Sequence, residues 1–101
     1  FRRVLFRSPT AFALLINYPN PFNPTTTIPF VVPETEKVNI SIYNHSGQHV
    51  ITIADQIFSP GDHRVHWDAR DKHGNRIPSG MYLCKMRAGS FYDVRKLVLL
   101  K

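Results

Sequence analysis

Four groups of side chains in this chain of 101 residues are of types that do chemistry. Asp68, Asp71 and Asn75, set around Gly74, offer the carboxylate and carbonyl oxygens that a hard cation such as calcium prefers. Their spacing is not that of an EF-hand loop, and Arg70, Lys72 and Arg76 interleave charge that opposes a cation. Asp and Asn beside glycine also close Asx turns, and turn chemistry is the reading adopted for this loop. His63 and His66 are the closest histidine pair, but on a strand they point to opposite faces and cannot grip one zinc ion. Cys84 is the single cysteine, so no internal disulfide can form, and without a basic partner it reads as a small buried hydrophobe rather than a nucleophile. Ser79 precedes Gly80 without an elbow motif, and the carboxylates are scattered over turns. The expectation is a domain with no catalytic residue, no metal and no cofactor, which is not an enzyme.

The elements that carry these residues are strands. Lys37 to Tyr43 alternates, with Val38, Ile40 and Ile42 on one face and Asn39, Ser41 and Tyr43 on the other. Asn44-His45-Ser46-Gly47 turns the chain, and Gln48 to Ala54 returns as the second arm of a hairpin. Thr26 to Val32 is a first strand, rich in β-branched residues, and Pro29 within it predicts a sheet edge. After Ser59-Pro60-Gly61, alternation puts His63, Val65 and Trp67 on one side, with Trp67 as central core residue and His63 packed with a hydrogen-bonded ring nitrogen. His66 and His73 are expected at the surface. A loop from Asp68 to Ser79 leads through Gly80 into Met81 to Ala88, where Tyr82, Cys84 and Met86 share a face. Gly89-Ser90 then turns into a last strand, Phe91 to Leu100. Leu97 to Leu100 are consecutive apolar residues, so at least one must face outward. No helical period of useful length and no internal repeat are present. The predicted fold is an all-β, immunoglobulin-like sandwich of about six to seven antiparallel strands, which needs about 100 residues and leaves no room for a second domain.

Thirteen Lys and Arg against seven Asp and Glu give +6 and a pI near 9.9, which suggests nucleic acid or an anionic surface as partner. The excess is concentrated at the start. Phe1 to Ser8 look like the in-frame translation of a common sequencing-library adapter and are set aside as an artefact. Without Arg2, Arg3 and Arg7, ten basic residues face seven acidic ones, leaving +3, so a nucleic-acid partner is not expected. The same arginines followed by Ala11 to Ile16 imitate a secretory signal, but the apolar run is short and no small-residue cleavage site follows. No stretch approaches the roughly 20 apolar residues of a spanning helix, and the lack of an initiating Met suggests the end of a longer protein.

Residues 9 to 17 read as a linker, after which the chain stiffens. In Tyr18-Pro19-Asn20-Pro21-Phe22-Asn23-Pro24 each proline fixes its own φ and restricts its predecessor, Asn20 and Asn23 can close Asx turns, and Phe22 can plug inward. This box, followed by Thr27-Ile28, Phe30 and Pro33, resembles the opening of the C-terminal sorting domain of type IX secretion cargo (type A), an immunoglobulin-like sandwich related to the FlgD-like Ig domain. The resemblance continues through Ile42-Tyr43-Asn44 with Gly47-Gln48, then His63, Val65 and Trp67-Asp68, Asp71, Gly74, and Pro78-Ser79-Gly80 with Tyr82. One departure is Ala69, where glycine is usual; if that position needs positive φ, the loop carries strain of about 1 kcal/mol.

What the resemblance implies is a non-catalytic sorting domain over residues 18–101 that directs an upstream cargo through the type IX system. In such domains the glycine turn and the Lys- and Leu-rich final strand are what the machinery recognises, and Gly89, Lys96, Leu97, Leu99 and Lys101 match that pattern. The implied partners are the outer-membrane type IX translocon, its processing peptidase and the upstream cargo domain. The implied route is export through the periplasm to the cell surface or beyond, with the domain as a monomer. A sorting signal must end its protein, and Lys101 is expected to be that end. The alternative is a structural FlgD-like Ig module of a flagellar hook-capping or other surface assembly. A carbohydrate-binding sandwich would need an exposed aromatic platform, for which Tyr43, Phe58 and Tyr92 are scattered candidates.

Overall fold

The computed structural model describes residues 11–101, so the adapter-like segment lies outside the described residues. Seven strands follow one another: β1 (Ala13–Leu14), β2 (Thr26–Val32), β3 (Glu36–Asn44), β4 (His49–Phe58), β5 (Gly61–Trp67), β6 (Gly80–Ala88) and β7 (Phe91–Leu99). They form a three-stranded sheet in the order β1-β2-β5 and a four-stranded sheet in the order β4-β3-β6-β7, every pairing antiparallel. The protein is an all-β, immunoglobulin-like sandwich, with Phe30, Val32, Val38, Ile40, Ile42, Cys84, Met86, Leu97 and Leu99 sealed between the sheets.

The alternation in β3 sets this arrangement. Val38, Ile40 and Ile42 point into the core, and their partners across β6 are Ala88, Met86 and Cys84, all buried. The hairpin to β4 turns at Gly47, which takes φ +88, and two register shifts along it tuck Val50 against the core. Trp67 is buried as expected, its indole N–H donating to the Arg70 carbonyl at 3.0 Å, with its ring edge-on to Tyr82 at 5.9 Å.

Two expectations are corrected. β2 is central, not an edge, because β1 pairs with its other side. Pro29 is tolerated there because its carbonyl faces the short β1 side, where it accepts from the Leu15 amide, so its missing N–H costs no bond to β5. The segment read as linker is also not free of structure. Ala13 and Leu14 pair with Val31 and Phe30, and Leu14 and Asn17 are buried.

Candidate functional site

The two ends of the described chain lie side by side. Phe12 stacks on Phe91 with ring centroids 5.6 Å apart, and Arg95 donates from Nε to the Leu14 carbonyl at 2.8 Å. Farther along, the Asn20 side chain accepts from the Val98 amide at 3.1 Å and donates to the Lys96 carbonyl at 3.5 Å. The Phe22 amide donates to Val98 O at 2.9 Å, and the Leu100 amide donates back to Phe22 O at 3.0 Å, a parallel bridge centred on Leu99. The proline box therefore runs along the outer edge of β7 like a short parallel strand and covers the main chain from Lys96 to Leu100. The Phe22 ring, 2 % exposed, plugs the core 5.7 Å from Trp67. At the start of the box Tyr18 exchanges backbone hydrogen bonds with Thr27 of β2, and the bonds ahead of Pro19, Pro21 and Pro24 are cis.

The terminal strand sorts its side chains by parity. Leu97 and Leu99 are fully buried, whereas Lys96, Leu100 and Lys101 are exposed and Val98 is half-buried. Val98 and Leu100 are the outward apolar residues of the consecutive run. Of the residues matched to the secretion pattern, only Lys96, Lys101 and the Gly89 turn are open to a partner in the folded domain. Gly89 takes φ +60, so a side chain there is strained, and the Glu36 carboxylate lies 3.5 Å from where its Cβ would sit.

The loop candidates behave as turn formers. Asp71 Oδ1 accepts from the backbone amides of His73 and Asn75 at 2.9 Å each, and the Asn75 bond leads in drawing the carboxyl below its ordinary 3.8. Arg70 pairs with Asp68 at 3.2 Å and donates to Gly74 O at 3.0 Å, which holds the loop shut. Gly74 has φ +84, and Ala69 sits at φ +63, so the left-handed conformation expected at that position is present with alanine in it. Ala69 is buried, and its carbonyl accepts from Ile77 at 3.3 Å. Among the described residues no three His, Cys, Asp or Glu side chains stand together as metal ligands.

His63 is half-buried, stacked on Phe30 at 5.5 Å with Nε2 2.7 Å from the Ser59 carbonyl, while His66 and His73 are exposed. Burial pushes the Cys84 thiol up to about 12, so it is a core residue without nucleophilic character. Tyr82 donates its hydroxyl to Pro78 O at 2.7 Å, and Gly80, at φ +148, opens β6 beside it. Of the three aromatic candidates, Phe58 turns inward against Phe30, and only Tyr43 and Tyr92 lie on one outer face.

The family described as FlgD Ig-like domain matches residues 24–90. The chain belongs to the FlgD Ig-like domain family. The match begins at Pro24 and ends at Ser90, so most of the box and all of β7 lie outside it. No curated protein matches the chain. Among solved structures, the chain is similar to dimeric latent PorU from Porphyromonas gingivalis, at TM-score 0.68 and 19% identity over 98% of this chain and 10% of that one. It is also similar to FlgD from Xanthomonas campestris, a hook-capping protein of flagellar assembly, at TM-score 0.59 and 20% identity over 90% of this chain and 63% of that one. FlgD from P. aeruginosa gives TM-score 0.56 and 20% identity over 73% and 59%. This FlgD Ig-like domain thus spans about a tenth of PorU and about three fifths of the FlgD chains. No helix among the described residues is long and apolar enough to cross a membrane.

Proposed function

We propose that this FlgD Ig-like domain is a non-catalytic C-terminal sorting domain that directs an upstream protein through the type IX secretion system. The observation that carries the reading is the joining of its two motif-bearing segments: the proline box and the Lys- and Leu-rich final strand hydrogen-bond to each other along one edge. A box resembling that of sorting domains then has a physical task, which is to hold the terminal strand in a fixed shape for a receptor. The likeness to a stretch amounting to 10% of PorU fits a small module borne by a much longer protein. In this reading the partners are the outer-membrane translocon, its processing peptidase and the cargo, and the route ends at the cell surface or outside.

The likeness to FlgD supports a second reading, a structural module of a hook-capping or other surface assembly. Transplantation separates the two. A reporter fused ahead of the full chain is expected to reach the surface in a type IX-competent host and to stay behind in the same host without the translocon. Retention in both hosts would favour the structural module.

A further inference from the structure

Residues 11–101 carry ten basic and seven acidic side chains, and their distribution is uneven. The outer face of the four-stranded sheet is defined by the register: Lys37, Asn39, Ser41 and Tyr43 on β3, their partners Ile57, Asp55, Thr52 and His49 on β4, and the outward residues of β6 and β7. By register this face holds four basic residues, Lys37, Lys85, Arg87 and Lys96, against one acidic residue, Asp55, which lies 3.7 Å from Lys37, and the Glu36 carboxylate borders the face beside Gly89 at the hairpin tip. With Glu36 counted, four basic residues stand against two acidic ones, so +2 of the +3 excess stands on this one sheet face.

The β6–β7 hairpin gives that face its texture. Cross-strand pairs run Met81 with Val98, Leu83 with Lys96, Lys85 with Val94 and Arg87 with Tyr92, so three of the four pairs set a basic side chain against an apolar or aromatic one. Lys85 lies 4.2 Å over the Tyr43 ring and Arg87 5.5 Å over that of Tyr92, which holds the cations in place and occupies the aromatic faces. A surface meant to stack bases or sugar rings would leave those faces free. Arg87, Met81 and the tyrosines among aliphatic residues are of the types enriched at protein interfaces, and the three lysines add the charge of a rim.

We infer that the outer face of the four-stranded sheet, centred on the β6–β7 hairpin, is the docking surface for a partner protein whose contacting surface is acidic. The inference rests on the sorting-domain reading and adds β6 to it. Strand addition at the end of β7 is blocked, because the box already occupies its main chain from Lys96 to Leu100. Leu97 and Leu99 are sealed in the core. What a receptor can touch is the outward set, and Lys96 shares that face with Lys85 and Arg87. The face measures on the order of 500 Å² from strand spacing and rise, below the roughly 800 Å² per partner of a stable complex, which suits a transient, charge-steered encounter.

The test is export of the reporter by a Lys85→Glu/Arg87→Glu chain against a control of equal charge change elsewhere, Arg64→Glu/Arg76→Glu, each checked for an unchanged melt. The β6 variant is expected to lose about tenfold or more in delivery rate while the control exports as the unmodified chain does. If the β6 variant folds poorly, Lys85→Gln/Arg87→Gln replaces it, with a smaller loss expected. Undiminished export by the β6 variant, or equal losses in variant and control, overturns the inference while leaving the sorting reading in place. Absence of export by the unmodified chain defeats both. Saturable binding of a sulfated oligosaccharide or a short DNA duplex to this face at about 0.15 M salt, followed by NMR, assigns a different class of partner and also overturns it.

Discussion

The side chain of Asn20 accepts the backbone amide of Val98 at 3.1 Å, although 78 residues separate the two. Asn20 here substitutes for backbone. Its Oδ1 and Nδ2 meet the main chain of β7 at Val98 and Lys96, where an added strand would otherwise bond. Asn20→Ala is expected to cost about 1 kcal/mol, the net worth of an exposed hydrogen bond, and to lower the thermal midpoint by about 4–8 °C. Hydrogen exchange gives the sharper readout. The Val98 amide should lose protection while the amides of β3 keep theirs.

Phe22 makes the same clamp through the core. Phe22→Ala removes a ring packed on Trp67 and should cost about 3–5 kcal/mol, with a change in Trp67 fluorescence in whatever native state remains. Removal of residues 96–101 is expected to be as damaging, because it takes out Leu97 and Leu99, each worth about 1.5–3 kcal/mol of burial. A terminal truncation that blocks export therefore does not separate a lost signal from a lost fold. Urea titration of the truncated chain should show a midpoint far below that of the full chain.

Ala69 tests how much strain the loop stores. Relief of its φ of +63 by Ala69→Gly gains about 1 kcal/mol, but losing the buried methyl costs about 0.8 kcal/mol, so stability should change little. Ala69→Val adds β-branching at positive φ and should destabilise by about 2 kcal/mol or more. A pair of denaturation curves decides this. A large gain from glycine would show that the methyl contributes nothing.

Cys84 supplies a pH dependence. Its thiol is raised in the fold from 9.0 to about 12 by burial, so the unfolded chain ionises first as pH rises. The stability linked to it is fully present below 9.0 and is lost progressively between 9.0 and about 12. Alkaline unfolding curves should flatten in Cys84→Ala over that window, and alkylation of the wild-type thiol near pH 8 should proceed only as fast as the domain opens. Rapid alkylation of the native protein would contradict the burial.

Much of this architecture could be read from local pattern. Val38, Ile40 and Ile42 announced their face by alternation, Gly47 and Gly89 marked turns, and Trp67 declared itself as core. The departure at Ala69 was visible only through the family resemblance, in which glycine is usual at that position. What local pattern missed is what depends on distant partners. Pro29 suggests an edge, yet whether a second strand lies beyond it depends on Ala13 and Leu14 folding back. Residues 9–17 read as a linker because the hydrogen-bond partners of Leu14 and Leu15 lie far off in sequence, on β7 and β2. The bond from Asn20 to Val98 is likewise invisible to periodicity, since an asparagine between prolines looks complete as an Asx turn. The candidate site was half legible: Lys96 and Lys101 are exposed, whereas Leu97 and Leu99 are core, a division that the matched pattern alone did not make.

The most direct test of the sorting reading uses only the outward end of β7. Lys96→Glu/Lys101→Glu leaves Leu97, Leu99 and every contact of the box intact, so melts should match those of the unmodified chain. Surface delivery of a fused reporter in a type IX-competent host is then the measurement. The sorting role predicts that delivery collapses although the domain stays folded; delivery at the unmodified rate would contradict it.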